Sequence, residues 1–227
     1  LFRCFFNEGI VVDTGKIKNF NKPLPNFISL VPQQLDTILS SKVLVKNAQN
    51  LQGILLGGAR WSSALIKKAL DINLPIYTSY GLSEMSSTVT IQQLTPDINP
   101  QSSGEVLPFR EVKIIDGQIG VKGEPLYQAE YVNHQRVPTK LEDGYYLTKD
   151  FGKIVENKLY LTGRIDNVFI SGGENILPEK IKKFIDDFNN VRDSFVIDVS
   201  HPKWDKVPAA IIILKNPTDH KAFINDL

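Results

Sequence analysis

Residues 51–84 read LQGILLGGARWSSALIKKALDINLPIYTSYGLSE. The apolar run Leu51–Leu56 has the length of a buried strand, and Ile76–Ser79 is a second such run. Between them, after Gly57-Gly58-Ala59, Ser62 and Ser63 offer hydroxyl oxygens to the first amides of a helix through Leu65, Ile66 and Leu70. Upstream, Phe27–Val31 reads as another buried strand, and Pro32 suits the first turn of a helix through Leu35, Ile38 and Leu39. Strand, helix, strand, helix, strand at this spacing requires right-handed crossovers and therefore a parallel sheet, whose ligands bind outside the carboxyl ends of the strands. Gly57-Gly58 and Tyr80–Glu84 both fall at such ends. Topology alone predicts that they cluster.

Downstream of about Ser102 the texture changes to short alternating strands. Val112–Ile115 meets Gln118–Val121 across Asp116-Gly117, a strong hairpin signal, and Gly152–Val155 is expected to meet Leu159–Thr162 through Glu156-Asn157-Lys158. Beyond Asp166, Pro178 opens a helix with Ile181, Phe184, Ile185 and Phe188 on one face, followed by strands at Ser194–Val199 and Val207–Leu214. The expected class is α/β: a parallel sheet with crossover helices, then a small antiparallel β-barrel subdomain, then a small α+β domain. The boundaries this texture suggests are 1–101, 102–163 and 167–227, joined by a hinge at 164–166. Both ends look cut, because the chain opens inside the apolar run Leu1–Phe6 and stops inside a helical pattern that begins near Thr218.

Composition narrows the function. Twenty-six basic and 25 acidic residues leave a formal charge of +1, and no basic run is interleaved with aromatics, so no nucleic-acid groove is indicated. Cys4 is the one cysteine, which excludes an internal disulfide and fits a reducing, cytoplasmic setting. No apolar run reaches the roughly 18 residues that span a bilayer. His134, His201 and His220 lack ligand spacing, which argues against a zinc site. Gly9–Lys16 fails as a phosphate loop because Gly15 falls one place too late and Ile17 stands where Ser or Thr is required. No Gly-x-Ser-x-Gly elbow is present, since Gly81-Leu82-Ser83 runs into Glu84-Met85.

The side chains of Tyr80-Gly81-Leu82-Ser83-Glu84 carry a definite chemistry. An aromatic at a strand end offers a face to a purine, a glycine admits close backbone approach, a hydroxyl donates to phosphate, and a carboxylate can ligand Mg²⁺. Asp150 can accept from both ribose hydroxyls, and Arg164 can bracket ribose and phosphate. Taken singly, each of these is more often a surface turn or a solvated charge.

Taken in order, Gly57-Gly58-Ala59, Tyr80-Gly81-Leu82-Ser83-Glu84, Asp150, Gly163-Arg164-Ile165-Asp166 and Ser171-Gly172-Gly173-Glu174-Asn175-Ile176 resemble the motifs of the adenylate-forming acyl-CoA synthetases. The runs Phe27–Leu35, Ser86–Val89 and Tyr146–Asp150 are most similar to the branch of that family whose acid is o-succinylbenzoate, in menaquinone biosynthesis. The resemblance implies a two-step reaction of a small carboxylic acid with ATP and then CoA, with Mg²⁺ as the metal. It implies that Gly58 and Ala59 flank adenine, that Tyr80 and Gly81 meet the base, that Ser83 contacts phosphate and that Glu84 holds Mg²⁺. It further implies that Asp150 and Arg164 hold the ribose, that Asp166 is a hinge, and that Gly172 and Gly173 line the path of the pantetheine arm. Arg3 and Ser29 match positions that contact a carboxylate of the acid, and a homo-oligomer is possible.

The departures from the pattern are specific. Ser83 stands for the usual Thr, which keeps the hydroxyl, and Lys149 stands for the usual Gly before Asp150. The family's Gly/Ser/Thr-rich phosphate loop and its catalytic lysine have no counterpart within these 227 residues, so this stretch alone is expected not to adenylate an acid. Two alternatives remain at this point: another acyl- or aryl-CoA ligase with a different acid pocket, and a nucleotide-binding module without catalysis.

Overall fold

A computed structural model describes residues 26–59 and 61–216. Arg3, Cys4, the Gly9–Lys16 stretch, His220 and the helical pattern from Thr218 lie outside the described residues. The chain divides into two compact units: Leu1–Val112, Val121–Lys140 and Ile154–Tyr160 form the first, and Lys113–Gly120, Leu141–Lys153 and Leu161–Leu227 the second.

The first unit opens with β1 (Phe27–Leu30), α1 (Pro32–Leu39), α2 (Lys42–Ala48), β2 (Gly53–Leu56), α3 (Ser63–Asp71) and β3 (Ile76–Leu82). Strands β1, β2 and β3 pair in parallel, with Leu30 opposite Leu56 and Leu56 opposite Thr78. The helices start where their residues can satisfy orphan amides. In α3 the amide of Leu65 donates to Ser62 Oγ at 3.2 Å, and in α1 the amide of Val31 donates to Gln34 Oε1 at 3.0 Å. Leu35 and Ile38 from α1 and Ile66 and Ala69 from α3 bury against Ile54, Leu56 and Ile76 in one core. Each such aliphatic side chain contributes about 1.5–3 kcal/mol on full burial.

Strand β3 does not stop at Ser79 as the sequence suggested. It continues through Tyr80 and Gly81 to Leu82 because β4 (Ser87–Gln93) runs back antiparallel beside it, with a bulge between Tyr80 and Gly81. Next in sequence is β5 (Ser102–Val106), which pairs antiparallel with β4, and the start of the later β11 (Lys158–Arg164) pairs antiparallel with β5. The buried hydroxyls of Thr78 and Thr90 donate to Ser102 O and Ser103 O at 2.8 and 2.7 Å, which offsets the cost of removing them from water.

The chain then forms β6 (Arg110–Ile115), β7 (Gln118–Gly123), a separate exposed hairpin of β8 (Ala129–Val132) and β9 (Gln135–Pro138), and β10 (Tyr146–Val155) before β11. The β6–β7 turn is Asp116-Gly117 with φ of 48° and 83°, the primed geometry its sequence predicts. The β10–β11 turn uses only Glu156 and Asn157, at φ 49° and 62°, and Lys158 joins the strand.

In the second unit, β12 (Phe169–Ser171) and β13 (Glu174–Ile176) form a two-residue hairpin, followed by α4 (Pro178–Asp186), β14 (Val191–His201) and β15 (Asp205–Leu214). Helix α4 lays Ile185 against Val191, Val196, Ile212 and Leu214. Lys182 on α4 reaches Asp186 at 2.9 Å and Asp193 at 2.8 Å and donates to the carbonyl of Ser194, tying helix to ribbon. Burial pulls the Lys182 ammonium down, but hydrogen bonds to Asp193 and Asp186 outweigh it and hold its pKa above the ordinary lysine value.

Candidate functional site

In the first unit the carboxyl ends of the parallel strands are drawn together by main-chain and hydroxyl contacts. Gly57 donates from its amide to Leu30 O at 3.2 Å, and Ser79 donates from its hydroxyl to Leu56 O at 3.3 Å. A methyl group on Gly57 would sit 2.8 Å from Ser79 Oγ, so the glycine makes room for that tie. Gly58 follows at φ 76°, a left-handed conformation that favours glycine, and Gly58 and Ala59 are exposed. Ser29 is exposed on β1, while Arg3 lies outside the described residues.

Tyr80 is 6% exposed, so most of its ring is already covered by protein. Gly81 is required by a different neighbour from the one the sequence suggested: a Cβ there would lie 2.2 Å from the carbonyl oxygen of Ser87 and 2.9 Å from Cα of Thr88, so its close approach is to β4. Ser83, Glu84 and Met85 form a 3-10 turn, with Met85 buried, Ser83 exposed and Glu84 intermediate. Immediately after it, Ser86 and Ser87 hold φ of 56° and 125°. Two serines in that region store backbone strain, which persists only where surrounding contacts impose it. Those contacts come from Pro125 and Tyr127: Ser86 Oγ donates to Pro125 O at 3.0 Å, and the Tyr127 amide donates to Glu84 O at 2.8 Å. Sequence reading missed this support because its acceptor and donor at Pro125 and Tyr127 are main-chain groups about 40 residues away, which no residue type marks.

In the second unit Arg164 bridges two carboxylates, Asp150 at 3.1 Å and Asp166 at 3.5 Å, and Lys149 reaches Asp166 at 3.3 Å. The two residues expected to share a ribose therefore touch one another. Asp150, whose side chain is 16% exposed, is fixed further by its amide, which donates to Thr148 Oγ1 at 3.1 Å. Lys149, the departure from the family's glycine, is a partner of the expected hinge residue. Gly172 and Gly173, at φ 57° and 92°, are the two turn residues between β12 and β13, a requirement that a Gly-Gly pair meets without any ligand.

Among the described residues no cluster of three or more His, Cys, Asp or Glu is arranged to hold a metal. A lone carboxylate still suits Mg²⁺, which is commonly bound through one or two carboxylates with substrate phosphates completing its shell. Glu84, partly exposed in its turn, fits that donor set. No described helix is long and apolar enough to cross a membrane.

The family model described as AMP-binding enzyme matches residues 5–130, more than half of the sequence. This chain belongs to the AMP-binding enzymes. Among relatives of this AMP-binding chain, the 2-succinylbenzoate–CoA ligase of Haemophilus influenzae is 34% identical over 201 residues, covering 87% of this chain and 43% of that protein. A solved structure of Escherichia coli MenE, with a bound m-phenylether-linked analogue of OSB-AMS, superposes with a TM-score of 0.76 at 28% identity, over 92% of this chain and 46% of that one. Bacillus subtilis o-succinylbenzoate CoA synthetase, in complex with the acyl-adenylate intermediate OSB-AMP, gives a TM-score of 0.68 at 25% identity, over 88% and 44%. The chain thus spans less than half the length of these relatives, and the α/β class expected from its sequence is the one they share.

Proposed function

We propose that this chain is part of an acid–CoA ligase that converts o-succinylbenzoate to its CoA thioester through an acyl-adenylate. The observation that carries the proposal is the run of similarity to 2-succinylbenzoate–CoA ligases along 87% of the chain, through both units. The acid's carboxylate oxygen attacks the α-phosphorus of ATP, the bond to the β-phosphate oxygen breaks, and pyrophosphate leaves. The sulfur of CoA, having lost its proton to solvent, then attacks the acyl carbon, and AMP leaves with the electron pair of the acyl–oxygen bond.

In this reading Gly58, Ala59 and Tyr80 hold the adenine at the ends of the parallel strands, and the Ser83 hydroxyl donates to a phosphate oxygen. Glu84 would hold Mg²⁺, which would supply charge neutralisation at the phosphates. The strained turn after Glu84 keeps that carboxylate in place before the nucleotide arrives, which avoids an ordering cost at the moment of reaction. Asp150 and Arg164, already paired, present an acceptor and a donor fork to the ribose, and Arg3 and Ser29 meet a carboxylate of the acid. Asp166 serves as the hinge between the two half-reactions, and Gly172 and Gly173 as the passage for the pantetheine arm.

The test is thioester formation by the full-length polypeptide with ATP, Mg²⁺, CoA and a panel of o-succinylbenzoate, other aryl acids and fatty acids, read by mass. Dominant o-succinylbenzoyl-CoA, lowered about 10²-fold or more by Glu84→Gln, supports the reading. A different dominant thioester would move the assignment to another acyl-CoA ligase, and no thioester at all would move it to a nucleotide-binding module without catalysis.

A further inference from the structure

The loop between β14 and β15 consists of Pro202, Lys203 and Trp204, and it is closed by the pair His201 and Asp205. Proline has no amide, so the loop exposes two donors of its own, and both find the same acceptor. The amides of Lys203 and Trp204 donate to His201 Nδ1 at 3.2 and 3.3 Å. An imidazole nitrogen that receives two N–H groups carries no proton, which places the ring's hydrogen on Nε2. Asp205 leaves the loop at φ 64°, and the Lys206 amide donates to Trp204 O at 2.7 Å, so the tryptophan's main chain is held on both sides.

The side chain that this loop presents lies on the β12–β13 turn. A methyl group on Gly172 would lie 3.1 Å from Cε3 and 3.5 Å from Cζ3 of Trp204, so the indole covers the face of that glycine. The Lys203 ammonium sits 4.6 Å from the Trp204 ring centroid and covers the ring in turn. One imidazole thereby organises a chain of contacts, from His201 to the loop amides, from the loop to Trp204, and from Trp204 to Gly172.

We propose that His201 is a positioning residue for the thiol-transfer half-reaction: by accepting both loop amides on Nδ1 it seats Trp204 on Gly172 and so fixes the Gly172–Gly173 turn. The inference rests on the reading of that turn as the passage for the pantetheine arm. It assigns no role to His201 in adenylation.

The experiment compares His201→Ala and His201→Asn in the full-length polypeptide. Asparagine carries its Oδ1 at the branch occupied by Nδ1 in histidine, and it accepts from amides two and three residues ahead in turns of this kind. Amide exchange across residues 203–206 is expected to rise roughly fivefold in His201→Ala, the loss of about one hydrogen bond, and to return to the wild-type rate in His201→Asn. KM for CoA is expected to rise about three- to tenfold in His201→Ala and to recover in His201→Asn, with the acid-dependent exchange of pyrophosphate into ATP unchanged in both. Unchanged amide exchange in His201→Ala overturns the positioning role. Faster amide exchange with an unchanged KM for CoA overturns the link to the pantetheine passage and leaves the ligase reading standing. Failure of His201→Asn to rescue overturns the assignment of Nδ1 as the acceptor. Should His201→Ala not accumulate as folded protein, His201→Gln, whose acceptor is displaced by one methylene, takes its place.

Discussion

Gly81 and Gly163 both sit inside motifs of the AMP-binding family, yet their surroundings predict opposite tolerance. A Cβ at Gly81 would meet main-chain atoms of Ser87 at 2.2 and 2.7 Å, and main chain cannot rotate away. At Gly163 the obstacle is the Leu177 side chain, at 2.7–3.0 Å, which can change rotamer. Gly81→Ala is therefore expected to cost about 3 kcal/mol or more and to lower Tm by roughly 10 °C or more, whereas Gly163→Ala costs about 1 kcal/mol. Thermal melts of the two variants check this ordering, and equal losses would overturn it. Glu84→Gln should melt close to the wild type, because the Ser86 hydroxyl on Pro125 O and the Tyr127 amide on Glu84 O hold the turn through atoms that the substitution leaves unchanged. At this scale the sequence made the carboxylate at Glu84 and the hydroxyl at Ser83 legible as chemistry. It could not reveal that Gly81 is fixed by β4, since a bulge is a property of a pairing and leaves no mark on one strand alone.

Elements whose boundaries are set by local chemistry were legible, and those set by distant partners were not. Ser62 caps α3 as expected, and Ser62→Ala should destabilise by about 1 kcal/mol, visible as a shift in denaturation midpoint without a change in slope. Helix α2, which sequence reading passed over, has only seven residues and is too short for its period to show. The β14–β15 ribbon carries apolar residues on both faces, with Val196 buried against α4 while Phe195 and Ile211 are exposed, so alternation alone did not say which face would be covered. Lys182 supplies a sharper prediction for the α4–β14 contact. Its folded-state pKa is raised above 10.5, so its stabilisation is fully present below that value and lost only as pH climbs through the folded value. Because the side chain is 36% exposed, solvent screening limits the contribution to about 1 kcal/mol or less. The difference in stability between wild type and Lys182→Met should thus stay flat from roughly pH 6 to 9. A difference that shrank steadily across that window would show that the lysine's charge is not its source.

The candidate residues are spread over both units: Gly58, Tyr80, Ser83 and Glu84 belong to the first, while Asp150, Arg164, Gly172 and Gly173 belong to the second. If the proposed function holds, Glu84→Gln suppresses pyrophosphate exchange, whereas Gly172→Ala leaves exchange near wild type and slows thioester release, which a rapid-quench assay of each half-reaction separates. The division is not a division of the sequence. The chain passes from one unit to the other five times, and four of those passages fall inside strands β6, β7, β10 and β11. During synthesis on a ribosome, residues up to Val112 emerge long before Ile154–Tyr160, the segment whose start of β11 pairs with β5. At about 5–20 residues per second that interval lasts roughly 2–10 s. Until β11 arrives the β5 edge lacks its partner, so β5 is the edge on which mispairing of a nascent chain is expected to start.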